Sequence, residues 1–142
     1  MTEVATSVQR SFRLSPTTSA LLDELAEASA ETRNSVVERL LAEGLRTERH
    51  PLIRFRTGAA GRREPAIVGT RLLVRQVVAQ LRASEGSIDE VADYLAIPAA
   101  PVRAALSYYA DFATEVDADA DWAARIEADH LARWEREQAA LT

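Results

Sequence analysis

Apolar residues recur in two rhythms along this chain, and the change between them marks its elements. From Val8 to Leu14 the rhythm is two: Phe12 and Leu14 face one way, Gln9, Ser11 and Arg13 the other. That predicts a strand with one buried and one polar face. Ser15 then caps a helix with Pro16 at its first position and Leu21, Leu22, Leu25 and Ala26 as its stripe, ending near Ser29. Thr32 caps a second helix with stripe Val36, Val37, Leu40, Leu41 and Leu45. Ile53 and Phe55 alternate with Arg54 and Arg56 in a short strand inside the junction Gly44–Arg63. From Pro65 to Tyr109 the rhythm returns to helical spacing three times. Val74, Val77, Val78 and Leu81 form one set, Ile88, Val91, Ala92 and Leu95 the next, and Val102, Ala105, Leu106 and Tyr109 the last. Ser87 with Glu90 makes a capping box for the middle helix. Three short helices with one apolar face each bury those faces against one another, so this stretch predicts a trihelical, helix-turn-helix-like core. Asp111–Asp121, acidic and rich in alanine, reads as a hinge. A last helix runs from Trp122 to about Leu141, capped by Asp121, with Trp122, Ile126 and Trp134 on one face.

A strand, a turn and two helices in about 40 residues cannot bury a core alone. They need a second copy. This pattern resembles the ribbon-helix-helix family of small bacterial repressors and antitoxins, in which two chains pair their N-terminal strands into a ribbon that enters the major groove. The resemblance implies a homodimer on double-stranded operator DNA. It makes Gln9, Ser11 and Arg13 the side chains at base edges, and the backbone of Arg33 and Asn34, at the start of the second helix, a phosphate site. Arg10 departs from the pattern, because it shares the apolar face with Phe12 and Leu14. Either it lies at the ribbon end with its head in solvent, or the register moves by one and Arg10 and Phe12 become the readers.

The second half carries another resemblance. Gly69-Thr70-Arg71, the valine opening the next helix, Gly86-Ser87, and Leu106-Ser107-Tyr108-Tyr109 resemble the bacterial family called domain of unknown function 433. His50-Pro51-Leu52-Ile53-Arg54-Phe55-Arg56-Thr57-Gly58 and Gly61-Arg62-Arg63 resemble its antitoxin-associated branch, and the motifs together cover about Arg46 to Asp117. The expected architecture is mainly α. Residues 1–48 form a ribbon-helix-helix module, 49–117 a trihelical antitoxin-like domain with a β element, and 118–142 a C-terminal amphipathic helix.

Composition changes the picture in one respect. The chain has 142 residues and a net charge of −5, with no cysteine and no lysine. Residues 1–82 are net +4 and 83–142 net −9, and within 44–82 nine arginines face two acids. A basic front and an acidic rear suggest two partners, one of them nucleic acid, or two ends that neutralise each other in a dimer. The basic junction is either an added phosphate contact or a solvated linker. No apolar run is long enough to span a bilayer and no signal peptide opens the chain, which with the absence of cysteine suits a cytoplasmic protein. Gly-rich phosphate loops, His/Cys metal spacing and a nucleophile elbow are all missing, so neither an enzyme nor a cofactor is expected. His50 reads as a surface residue without a partner, and Tyr108, Tyr109 and Phe112 as core.

The third trihelix segment, Pro98–Phe112, carries one basic residue, Arg103, so the trihelix reads as a dimerisation or partner-docking domain. Together the two modules resemble a VapB-type antitoxin. Such a protein represses its own operon and blocks a PIN or PIN-like ribonuclease toxin by direct binding. Toxin contacts are then expected at Trp122, Ile126, Arg133 and Trp134, with Arg125 and Arg136 beside them. The alternative is a ribbon-helix-helix regulator with no toxin.

Overall fold

A computed structural model describes residues 6–142. The polar stretch Met1–Ser7 lies mostly outside the described residues. The chain divides into two compact units, residues 1–42 and 43–142. Its elements are α1 (Pro16–Ser29), α2 (Arg33–Arg49), β1 (Ile53–Thr57), β2 (Arg63–Ile67), α3 (Val74–Ala83), α4 (Ile88–Leu95) and α5 (Ala99–Ala140).

In the first unit the caps are those expected. Ser15 Oγ accepts from the Thr18 N–H at 3.2 Å and Thr32 Oγ1 from the Ser35 N–H at 3.1 Å. Helix α1 ends on Ala30, in the left-handed region at φ 53°, whose N–H reaches back to the last carbonyls. The strand expected over Val8–Leu14 is not formed: residues 6–15 have no regular structure and are exposed throughout. A lone extended segment has no ladder to join, and no described strand pairs with it.

In the second unit β1 and β2 form an antiparallel hairpin, with Ile53 opposite Ile67 and Phe55 opposite Pro65. Ile53 and Ile67 face the core. There they meet Val74, Val77, Val78 and Leu81 of α3, Val91 of α4, and Val102, Ala105, Tyr108 and Val116 of α5. The three predicted stripes therefore close on one another, except at Leu106, which is exposed. Gln76 reaches back to accept the Leu73 N–H at 2.9 Å, and Ser87 Oγ takes the Glu90 N–H at 3.3 Å.

Two boundaries differ from those expected. Helix α2 runs through Gly44 to Arg49, so the junction begins later. The acidic stretch Asp111–Asp121 is no hinge. It lies inside α5, a helix of 42 residues, about 63 Å at 1.5 Å per residue. Asp121 is interior to that helix and caps nothing. Neither Gly nor Pro occurs in the stretch, and its alanines favour the helix. The only break is local, at Phe112 with φ −131° and ψ 37°.

Candidate nucleic-acid and partner interfaces

Without a partner strand, the first unit leaves its apolar stripes open. Phe12, Leu14 and Leu21 are 69%, 50% and 59% exposed, and Leu25, Leu40 and Leu41 are exposed beside them. Among the described residues of this unit only Ala26 and Val36 are buried, and the exposed apolar side chains form one face. These side chains line a groove of about 730 Å³ with Leu22, Val37, Arg10 and Arg13. Gln9 and Ser11 are exposed and do not line it. Arg13 thus shares the groove with Arg10 in the single chain, where the alternation sets them on opposite faces. At the head of α2 the Arg33 guanidinium donates to Asp23 at 2.5 Å in an exposed pair, which holds its pKa above the ordinary arginine value. Thr32 serves Ser35, so the N–H groups of Arg33 and Asn34 head the helix with no intrahelical acceptor.

Four of the nine acids of α5 have partners in the basic stretch before them. Arg46 meets Glu115 at 2.6 Å, Arg49 and His50 meet Asp111 at 3.8 and 2.8 Å, Arg62 meets Asp119 at 3.3 Å, and Arg82 meets Asp117 at 3.6 Å. Part of the charge asymmetry is therefore offset inside the second unit. Arg46 also sits over the Phe112 ring, 4.5 Å from its centroid, at the helix break. The contacts at Asp111 overturn the surface reading of His50, which is buried, with its ring edge-on to Tyr108 and Phe112. Its acid partner is 61 residues away, and nothing local in the sequence announces it.

Two further residues escape the sequence. Glu64 on β2 is 2% exposed, and its Oε1 accepts from Arg75 Nε at 2.7 Å. Its other oxygen lies against Gly58, where no side chain would fit. β2 is buried at four successive positions, so no alternation in its sequence marks Glu64. Asp119 is nearly buried, and desolvation pushes its carboxyl up against the opposing pull of Arg62. Tyr108 is core, as expected. Burial raises its hydroxyl pKa well above the phenol range.

The residues expected to grip a partner from α5 separate into two groups. Trp122 packs on its own unit, its Nε1 donating to Ala60 O at 3.0 Å while Arg62 and Arg125 lie over its ring. Ile126 is half-buried. Beyond it no residue is buried, and Trp134 and Leu131 are each 56% exposed. Ile126 and Arg133, with Asp129, His130 and Arg136, line a shallow groove along the same helix. Among the described residues no group of three His, Cys, Asp or Glu could hold a metal ion, and no helix is long and apolar enough to cross a membrane.

Residues 61–109 match the family model described as Protein of unknown function (DUF433). The match covers β2, α3, α4 and the start of α5. It stops short of the upstream motif at His50–Gly58, so the antitoxin-associated branch rests on resemblance alone. No curated protein and no solved structure matches the chain.

Proposed function

We propose that this chain is an antitoxin of a type II toxin–antitoxin pair. Its first unit dimerises through the open apolar face and presents Gln9, Ser11 and Arg13 to operator DNA as a ribbon-helix-helix. Its distal α5 binds a PIN or PIN-like ribonuclease toxin, and no reaction is catalysed. The observation that carries the dimer is the groove of about 730 Å³ lined by Phe12, Leu14, Leu21, Leu40 and Leu41. A well-capped helix pair with its main apolar face uncovered is half of a core. The exposed Trp134 on a helix already anchored by Trp122 supports the second half of the reading, since aromatic residues and arginine dominate interface energetics.

Co-purification from the native operon, with sedimentation and a gel shift on the chain's own promoter, tests it. The expected species is a dimer or larger that holds a second protein and shifts the promoter. Arg13→Ala loses specific binding, each bidentate contact being worth about 1–3 kcal/mol and present twice. A folded monomer, or a promoter shift indifferent to Arg13, refutes the ribbon reading. A dimer that binds the promoter and no second protein leaves a regulator only.

A further inference from the structure

Nine arginines lie between Arg46 and Arg82. Six meet a carboxylate within 4 Å: Arg46, Arg49, Arg62, Arg63, Arg75 and Arg82. The other three, Arg54, Arg56 and Arg71, form no ion pair among the described residues, and they are gathered together. The Arg56 guanidinium donates to Arg71 O at 2.5 Å. Arg54 precedes Arg56 by two residues on β1, on the same side of the strand, about 6.6 Å away at the usual rise. The Arg54 guanidinium bonds only the backbone carbonyls of Pro51 and Ile53. Arg54 and Arg71 are exposed and Arg56 is half-buried. The cross-strand neighbour of Arg56 is Glu64, whose carboxylate is buried and held by Arg75, so it does not reach out to neutralise them.

Cationic side chains rooted about 6.6 Å apart on one strand face repel wherever their heads come within one Debye length, about 8–10 Å. The fold nevertheless collects them on one face while pairing every other arginine of the stretch. Arginine forks fit phosphate oxygens bidentately. The set holds no side chain other than arginine, so it offers charge and fork geometry without base discrimination, as backbone contact requires. We infer that Arg54, Arg56 and Arg71 form a phosphate-backbone contact surface for nucleic acid on the second unit, separate from the N-terminal segment. The choice of duplex DNA as the polyanion rests on the DNA-binding reading above. Tethering gives this surface a high effective concentration once the first segment has bound.

The test measures full-length protein by fluorescence anisotropy on two duplexes, its own promoter and an unrelated sequence, across a salt series. Arg54→Gln/Arg71→Gln changes two exposed side chains and keeps their stems, and a triple variant adds Arg56→Gln. An unchanged melting curve confirms that the double variant is folded. On both duplexes the slope of log K against log salt becomes shallower by about 0.9 for each phosphate that is no longer neutralised. Both affinities fall by similar factors, unlike the selective effect of Arg13→Ala. Unchanged slopes in the double and triple variants overturn the inference, and if Arg13→Ala still abolishes promoter binding, the N-terminal reading survives it. The reverse pattern, with Arg13→Ala harmless and the hairpin variants weakened, keeps the inference and removes the ribbon. Wild-type protein that binds neither duplex sinks both. Variants that bind DNA normally but no longer co-purify with a second protein make this a protein-docking face and overturn the assignment.

Discussion

Two truncations of α5 separate its packing from its docking role. Deleting residues 128–142 removes Leu131, Trp134 and Leu141, all more than half exposed, and no buried residue. Surface changes of this kind alter stability by about 0.5 kcal/mol or less. For the unit of about 100 residues from Glu43 onward, that is a shift of about 2–4 °C at most. Deleting residues 122–142 instead removes Trp122, with its bond to Ala60 O and its contact with Arg62, and the half-buried Ile126. A fully buried Trp truncated to Ala costs about 3–5 kcal/mol, so a half-buried one costs about 2. The hydrogen bond adds about 1 kcal/mol. Together these lower the melting temperature by on the order of 10–20 °C. Calorimetry on the free protein reads both variants directly.

The same pair decides where the partner binds. If the distal helix docks a toxin as proposed, the shorter deletion, which removes Trp134 and Arg133, abolishes that binding and leaves promoter binding intact. Trp134→Ala alone weakens toxin binding by about 2 kcal/mol or more. A shorter deletion that melts the second unit refutes the docking role, since Trp134 would then be packing inside it. A longer deletion that leaves the melt unchanged refutes the anchoring role of Trp122 equally.

Two further outcomes follow from buried charge. Gly58→Ala places a Cβ against Glu64 Oε2, which must shift within its buried pair with Arg75, so the variant loses about 1–3 kcal/mol of stability. Combined with Glu64→Ala it loses clearly less than the two single losses added, and strict additivity in chemical denaturation would show that the two do not clash. Asp119 has a carboxyl pKa raised by burial, so its contribution to stability is present below its unfolded pKa and is lost as pH rises through the folded one. Asp119→Asn, which carries no charge, therefore gains on wild type as pH rises above about 4, the ordinary aspartate value. A difference in melting temperature that stays flat or falls over that range means Arg62 holds the carboxylate charged after all.

Local signals in the sequence carry far. Ser15, Thr32 and Ser87 mark helix starts because a short hydroxyl satisfies an orphan N–H within three residues, a relation wholly contained in the sequence. The stripes of α3, α4 and the first part of α5 are legible for the same reason: periodicity is local, and three apolar faces have only one another to cover them. The acidic stretch misleads because two structures share one composition. Asp and Ala without Gly or Pro suit a solvated loop, and equally a helix whose acids find arginines. Which applies depends on Arg46, Arg62 and Arg82, between 35 and 69 positions upstream of their partners. His50 and Glu64 stay hidden for that reason too, since each is defined by a neighbour that only the fold supplies.

The ion pairs also bear on which part of the chain meets DNA. By composition, residues 44–82 are the most basic stretch and the natural candidate for phosphate binding. In the fold, six of their nine arginines face acids of the same unit, so their field at the surface is largely cancelled. Apart from the buried Arg75–Glu64 pair, these pairs lie largely at the surface and add little stability, about 0–1 kcal/mol each. Their larger effect is to subtract charge from the surface, and the subtraction is uneven. It leaves Arg54 and Arg56 on the hairpin, and Arg71 in the loop after β2, without an ion pair among the described residues. The count of arginines in residues 44–82 therefore overstates the unpaired basic groups of that stretch threefold, nine against three. A salt slope that reported nine contacts per chain, where the fold leaves three in this stretch, would show that the pairs with α5 open when DNA binds.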